Sequence, residues 1–154
     1  MAPAARSLDE ALVRAFGAAL RGGLLRPRDP GYEAARSVWN AAIDRRPALI
    51  ARCAGAADVI LAVDFARANN LLVSVRGGGH GVAGFAVCDD GLMIDLSGMK
   101  GIRVDPTSRA VRAEPGITVG GSTARPRPSA WLPPAASCPR QGSPDSPWAA
   151  ASAT

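Results

Sequence analysis

A run of glycines directly after a short apolar segment is the feature that most limits how this chain can fold. Residues 71–75 are mostly apolar and include two β-branched valines, which predicts a buried strand. Arg76 follows, and then come Gly77, Gly78, Gly79, His80, Gly81 and Gly84. Glycine adopts positive φ without steric cost and allows a ligand to approach the backbone closely. The glycine run therefore predicts a loop at the end of a strand.

Successive backbone N–H groups in such a loop can form a concave site for an anion, usually a phosphate. Arg76 adds a fixed positive charge at one end of the loop, and His80, the only histidine of the chain, lies at the other. The pattern predicts a cofactor site over residues 76–84. Two plainer interpretations stay open at this point: His80 as a solvated loop residue, and Arg76 as an ordinary surface ion-pair partner.

The segments before the loop predict a parallel βαβ unit. Residues 48–53 predict a strand and residues 56–69 a helix, which connects that strand to residues 71–75. The predicted apolar side of the helix consists of Val59, Ile60, Val63, Phe65 and Ala66. Parallel strands bind ligands at their carboxyl ends, and here that end is the loop at residues 76–80.

Other local patterns predict the remaining elements. Residues 7–10 have the spacing of a helix capping box led by Ser7, and apolar residues at helical spacing continue to Leu20. Residues 32–43 predict a helical or irregular segment. Further strands are predicted at residues 91–95, 102–105 and 110–114, of which the last two form a hairpin, and Pro115 and Gly116 then turn the chain.

Charge and composition exclude several classes of function. The net charge is +5, and all of the 18 basic residues except Lys100 are arginines. These arginines are scattered and do not alternate with aromatic residues, so we expect no nucleic-acid partner. No stretch approaches the roughly 18 apolar residues of a membrane span, and the N-terminus has no apolar run of the signal-peptide type. We expect no membrane partner and a cytoplasmic location.

The cysteines support neither a metal site nor a disulfide framework. Cys53, Cys88 and Cys138 are widely spaced, and the chain has one histidine to accompany them. Cys88 is interpreted as a small packed residue.

Composition changes sharply near residue 121. Residues 121–154 are rich in proline, alanine and serine, and their only aliphatic residue larger than alanine is Leu132. Such a segment cannot bury enough apolar surface to offset the loss of conformational entropy on folding. The sequence therefore predicts a lead-in with one helix at 1–23, a folded part at 24–120 and a disordered tail at 121–154.

Residues 75–100 resemble the FAD-linked oxidases of the berberine-bridge-enzyme and 6-hydroxy-D-nicotine-oxidase type. The resemblance rests on the Arg-Gly-Gly-Gly-His motif at residues 76–80 and the Ile-Asp-Leu-Ser motif at residues 94–97. It extends upstream through Tyr32 and Trp39 and downstream to Gly116, and covers roughly residues 24–120.

The resemblance implies an α+β fold, the N-terminal half of an FAD-binding domain of the PCMH type, with a small parallel or mixed sheet flanked by helices. It implies that residues 76–80 line the FAD pyrophosphate, that Gly116 and Thr118 make the next backbone contact, and that His80 is covalently attached to the 8α-methyl group of the flavin. The full enzyme is expected to transfer a hydride from a small-molecule substrate to FAD, which oxygen reoxidises. No catalytic base is expected within this chain.

The tail departs from the family, which should continue with a helix and a second glycine-rich flavin loop. If the codons of residues 121–154 are read in a shifted frame, their degeneracy permits a sequence of that glycine-rich kind. We therefore expect a frame change near residues 118–122 and a chain that is inactive alone. A free-standing phosphate- or nucleotide-binding module, a nucleic-acid-binding protein and a nonfunctional product of a broken gene remain as alternatives.

Overall fold

A four-stranded sheet forms the centre of the computed structural model, which describes residues 8–117. The strands are β1 (Leu24–Leu25), β2 (Leu49–Arg52), β3 (Val73–Arg76) and β4 (Leu92–Asp95). Their order across the sheet is β1-β2-β4-β3, with β4 parallel to both neighbours and β1 antiparallel to β2. The two strands of the predicted βαβ unit, β2 and β3, run parallel as predicted. They are not neighbours, however, because β4 lies between them.

Strand β4 occupies the centre because its side chains are apolar on both faces. Leu92 and Ile94 belong to one buried cluster, whereas Met93 belongs to a second cluster on the opposite face. Each of these residues is at most 1% exposed. A strand that is hydrophobic without alternation is typical of a parallel sheet covered on both sides.

Helices α1 (Glu10–Ala19) and α3 (Ala56–Ala68) cover the first face. The rings of Phe16 and Phe65 stack between them, with centroids 4.1 Å apart and planes 7° from parallel. The predicted capping box is wrong in detail: α1 begins at Glu10, and the carboxylate of Asp9 caps it by accepting from the N–H of Ala11 at 2.8 Å. Ser7 lies outside the described residues.

The predicted apolar side of α3 is also partly wrong. The buried residues of the helix are Asp58, Ala62 and Ala66, which recur every four residues, and the predicted Val59 and Phe65 are partly buried against the same core. Ile60 and Val63 are 62% and 38% exposed. The reason is steric, because alanine at the contact lets the helix axis approach the sheet closely and turns the larger side chains away.

The second face is covered by α2 (Tyr32–Arg36) and the segments beside it. The ring of Tyr32 is buried with Ile50, Val87 and Met93, and its hydroxyl donates to the carbonyl of Pro47 at 2.6 Å. The predicted helical segment at residues 32–43 is therefore helical only in its first five residues, and the remainder is irregular.

Strand β3 is less buried than the sequence predicts. Ser74 is buried, but Val73 and Val75 are 39% and 53% exposed. The two valines are exposed because β3 lies at the edge of the sheet, where it pairs only with β4 within the described part of the chain.

A separate hairpin follows the sheet and confirms the predicted one. Its strands are β5 (Ile102–Asp105) and β6 (Ala110–Ala113), paired antiparallel. The whole is an α+β fold with a small mixed sheet flanked by helices, as predicted. Among residues 8–117 no helix has the length and apolarity to cross a membrane.

A buried carboxylate joins the start of α3 to the turn after α1. Asp58 is 1% exposed, and its two oxygens accept from the backbone N–H groups of Ala54, Gly22 and Arg21 at 2.7, 3.2 and 3.1 Å. Burial alone would raise the pKa of Asp58, but these hydrogen bonds stabilise the ionised form and bring the pKa below its usual value of 3.8.

We expect Asp58→Asn to destabilise the fold by about 3 kcal/mol at neutral pH, because an amide nitrogen would face a buried backbone donor. Since the folded pKa of Asp58 is the lower one, its contribution is complete above the unfolded pKa and is lost as the pH falls below about 4. Urea unfolding at about pH 7 and pH 3 checks this. Asp64→Asn, on the exposed side of the same helix, is the control, and an equal loss in both variants at neutral pH would contradict the prediction.

Candidate functional site

The three parallel strands end at one edge of the sheet and bring their following loops together there. In the register of the sheet, Asp95 at the end of β4 lies between Arg52 of β2 and Arg76 of β3. The N–H of Cys53 donates to the carbonyl of Asp95 at 2.9 Å, and the N–H of Leu96 donates to that of Arg76 at 2.8 Å. The glycine loop therefore begins at the carboxyl edge, where the sequence predicted a ligand.

The glycine loop presents a row of unpaired backbone donors. The N–H groups of residues 77–81 donate to no acceptor in the part of the chain that the structure describes. Gly79 has φ of +72°, a left-handed conformation that favours glycine, and it is itself buried. Gly77 is partly buried, whereas residues 78, 80 and 81 are exposed. Buried N–H groups are normally paired, so the free donor of Gly79 within a row of accessible ones is what an anion site requires.

Arg76 lies behind this loop and is only partly exposed. Its Nη1 donates to the carbonyl of Ala35, and its Nε, which is buried, has no hydrogen-bond partner among the described residues. The Nε atom lies 3.2 Å from the position that a Cβ would take on Gly79. Arg76 forms no ion pair within residues 8–117, so the alternative of a surface ion-pair partner is not supported there.

His80 lies near the end of the row of donors, and its side chain is exposed. The Cδ2 and Nε2 atoms of its ring lie 3.7 and 3.8 Å from the position of a Cβ on Gly78, so the imidazole folds back over the loop. Neither ring nitrogen has a hydrogen-bond partner between residues 8 and 117. The imidazole is therefore accessible to solvent and makes no hydrogen bond within the described part of the chain.

Gly116 is brought to the same place by the turn after β6. A Cβ on Gly77 would lie 2.6 Å from the carbonyl oxygen of Pro115, so the loop and the turn touch backbone to backbone. Gly116 is itself enclosed: its N–H donates to the carbonyl of Met99 at 2.9 Å, and a Cβ there would lie within 2.4–2.7 Å of three carbonyl oxygens. Thr118, the other residue predicted from this turn, lies outside the described residues.

Gly81 and Gly84 shape the end of the loop. The N–H of Gly84 donates to the carbonyl of Gly81 at 3.2 Å, and Gly84 has φ of +70°. A Cβ on Gly84 would lie 2.9 Å from the side chain of Ile43. Gly84 is thus required for chain direction and packing, and its own N–H is not free for a ligand.

The segment between α2 and β2 supports the loop through contacts that were not predicted. The N–H of Trp39 donates to the carbonyl of Gly79 at 3.0 Å, and the side-chain amide of Asn40 donates to that of Val82 at 3.0 Å. The guanidinium of Arg45 donates to the carbonyl of Val87 at 3.2 Å. These partners are about forty residues apart in the chain, so no local pattern could have indicated them.

Neither described cysteine has the character of a reactive thiol. Cys88 is buried beside the hydroxyl of Ser74 at 3.3 Å, and burial raises its pKa. Burial likewise raises the pKa of Cys53 to about 11. A thiol with a raised pKa is protonated at neutral pH and is a poor nucleophile. Cys138 lies outside the described residues.

A mixed α+β unit with unpaired loop donors at the carboxyl edge of its sheet defines a binding domain for a phosphate-bearing cofactor. Residues 47–142 match the family described as the FAD binding domain, so the chain belongs to that family. The matched range continues past residue 120, where the sequence predicts the folded part to end.

The relatives of the chain are flavoenzymes. It is 38% identical over 101 residues to (R)-6-hydroxynicotine oxidase of Paenarthrobacter nicotinovorans, covering 66% of this chain and 22% of the relative. It is 35% identical over 101 residues to an uncharacterized FAD-linked oxidoreductase of Bacillus subtilis, with the same coverage. The chain therefore spans about a fifth of the length of these relatives.

The solved structure of 6-hydroxy-D-nicotine oxidase from Arthrobacter nicotinovorans is similar, with a TM-score of 0.65 and 35% identity. The match covers 74% of this chain and 24% of that one. The chain is thus a member of the FAD-linked oxidoreductases of the 6-hydroxynicotine oxidase and berberine-bridge-enzyme type. The loop residues fit the diphosphate of FAD, since they combine free N–H groups with a buried guanidinium nitrogen that lacks an acceptor.

Proposed function

We propose that this chain forms the N-terminal part of the FAD-binding domain of an FAD-linked oxidase and that residues 76–81 hold the pyrophosphate. One observation carries the proposal: the N–H groups of residues 77–81 and the Nε of Arg76 have no acceptor among the described residues, although that Nε is buried. A buried donor without a partner costs about 1–3 kcal/mol. An anion seated in the loop would remove that cost and supply several acceptors at once.

When bound, FAD would supply the redox chemistry: acceptance of a hydride from a C–H bond of a small-molecule substrate, which also gives up a proton, with oxygen as the final acceptor of the two electrons and two protons, as hydrogen peroxide. The role of this chain is binding and orientation. The loop supplies backbone donors, Arg76 offsets negative charge from behind it, and the turn at Pro115 and Gly116 fixes the loop from the other side. We assign no catalytic base to the described residues.

We further propose that His80 carries the covalent link to the flavin. Its imidazole is exposed at the end of the loop and unpaired among residues 8–117, and neutral imidazole is a nucleophile near neutral pH. The link joins an imidazole nitrogen to the 8α carbon. One N–H and one C–H bond would be lost, and oxygen would take up the two electrons and two protons released, as hydrogen peroxide.

The stretch from residue 121 onward remains part of the proposal as an out-of-frame segment. It lacks the apolar residues of a packed domain, and its codons permit a glycine-rich flavin loop in a shifted frame. On this interpretation the 154-residue chain alone is inactive. Translation in the restored reading frame would add the rest of the flavin site and produce a cytoplasmic enzyme. The nucleotide sequence around codons 115–155 decides it.

The test is to compare ligands of the 154-residue chain. ADP and FAD should bind weakly and perturb the NMR signals of residues 77–81, whereas riboflavin, which has no phosphate, should not. No hydrogen peroxide should form with sugars, secondary amines or alcohols, because FAD held by one loop has no enclosed ring site.

Each other outcome has a definite meaning. Equal perturbation by riboflavin and ADP, or none by either, would contradict the assignment of the loop to the pyrophosphate. Steady peroxide production would contradict the inactivity of the chain alone.

A further inference from the structure

A short turn beside the glycine loop holds that loop on both sides of His80. The backbone N–H of Trp39 donates to the carbonyl of Gly79 at 3.0 Å, immediately before the histidine. The side-chain Nδ2 of Asn40 donates to the carbonyl of Val82 at 3.0 Å, two residues after it. Two adjacent residues of one segment thus contact the loop at the two points that bracket His80.

The side chain of Asn40 is fixed in the orientation that this contact needs. Its Oδ1 accepts from the N–H of Ala42 at 3.1 Å, and its backbone carbonyl accepts from the N–H of Ile43 at 3.0 Å. An amide turned by 180° would place its NH₂ against the N–H of Ala42 and its oxygen against the carbonyl of Val82. The local turn therefore allows one orientation, in which Nδ2 faces the loop.

We propose that Asn40 is a positioning residue for His80, with its side-chain amide and the N–H of Trp39 clamping the loop at Val82 and Gly79. The expected effect of this clamp on cofactor binding rests on the function proposed above, whereas the two hydrogen bonds of the clamp do not.

The loop needs such a clamp because of its composition. Glycines at 77, 78, 79 and 81 leave the backbone around His80 with more conformational freedom than any other sequence would. Fixing one residue in a single conformation costs roughly 1–2 kcal/mol, and two hydrogen bonds that bracket His80 offset part of that cost before any ligand arrives. The imidazole can then stay folded over Gly78, where its Cδ2 lies 3.7 Å from the Cβ position.

Loss of the Asn40 contact should leave the fold intact, because other contacts fix the chain on either side. Ile43 packs against Gly84, and the guanidinium of Arg45 donates to the carbonyl of Val87 at 3.2 Å. Asn40 is also outside the central sheet and both buried clusters. Its removal is therefore expected to act on the position of His80 more than on stability.

The experiment uses the full chain and the variant Asn40→Ser. Serine can still accept from the N–H of Ala42, but its side chain is too short to reach Val82. The matched control is Asn69→Ser, because the Nδ2 of Asn69 also donates to a backbone carbonyl, that of Phe65 at 2.8 Å, at the end of α3 and away from the loop. His80 is the only histidine, so its ring gives one unambiguous set of NMR signals.

Two readouts are measured: the nuclear Overhauser effect between the His80 ring and the α protons of Gly78, and the affinity for ADP. We expect Asn40→Ser to lose most of the Overhauser effect and to bind ADP about three- to tenfold more weakly, which is the range for one net hydrogen bond. Asn69→Ser should retain both. A purely structural role for Asn40 would instead lower the thermal midpoint and leave the His80–Gly78 contact of the folded protein unchanged.

Retention of the His80–Gly78 contact in Asn40→Ser would overturn the proposal. If that variant does not fold, Asn40→Asp decides the matter in its place through the Overhauser effect alone, because the carboxylate keeps the acceptor for Ala42 and removes the donor to Val82, whereas its negative charge would weaken ADP binding in any case. If the unmodified chain binds no ADP, the proposed function fails, but the Overhauser comparison still supports or overturns the clamp.

Discussion

Replacement of His80 by alanine is expected to abolish covalent flavin attachment completely in a full-length protein that has the reading frame proposed above. With His80 present, the yellow chromophore should stay on the polypeptide after acid precipitation, and the intact mass should include FAD. With alanine the chromophore should go into the supernatant. The reason is chemical, because within the described residues His80 is the exposed nitrogen nucleophile at the end of the glycine loop.

The His80→Ala protein should still bind FAD before denaturation. The donors assigned to the pyrophosphate are backbone N–H groups of residues 77–81 and the guanidinium of Arg76, none of which belongs to the imidazole. Gly81→Ala is a useful control, since a Cβ at this position meets no neighbouring atom and the change keeps the histidine. Retention of covalent flavin in His80→Ala would place the link on another residue, and loss of all FAD binding would show that His80 mainly maintains the loop.

The sequence allowed prediction of those parts of the site that depend on neighbouring residues. A β-branched segment followed by glycines predicts a strand and a loop locally, and the parallel direction of the strands then places that loop at the carboxyl edge. The hairpin of β5 and β6 was predictable for the same reason, since its alternation and turn lie within twelve residues.

Features that depend on distant parts of the chain could not be predicted. The position of β4 between β2 and β3 is a choice of sheet order that leaves no local pattern. The exposure of Val75 follows from that order, because it makes β3 an edge strand. Asp58 likewise looks like an ordinary acidic residue in the first turn of a helix. Its burial follows from the approach of Gly22 and Arg21.

The turn at Gly116 connects stability to the site. A side chain there would meet the carbonyl oxygens of Leu96, Ser97 and Met99 at 2.4, 2.6 and 2.7 Å, and real Cβ atoms do not approach oxygen so closely. These are backbone atoms, so no side-chain rotation relieves the contact, and the segment at residues 96–99 must move. The same turn places the carbonyl of Pro115 against Gly77, so a displaced turn also displaces the first residue of the glycine loop.

We therefore expect Gly116→Ala to destabilise the chain by about 3 kcal/mol, a fall in thermal midpoint of roughly 10–20 °C for a domain of this size, and to weaken ADP binding in the fraction that remains folded. Gly98→Ala is the matched control in the adjacent turn, because its Cβ would meet the carbonyl oxygen of Cys53 at an ordinary 3.7 Å. That variant should stay within about 0.5 kcal/mol of the unmodified chain. Thermal unfolding of both variants, followed by circular dichroism with and without ADP, gives the comparison. Equal stability of Gly116→Ala and Gly98→Ala would show that these carbonyls do not enclose the turn. It would also contradict the role of the turn in fixing the glycine loop.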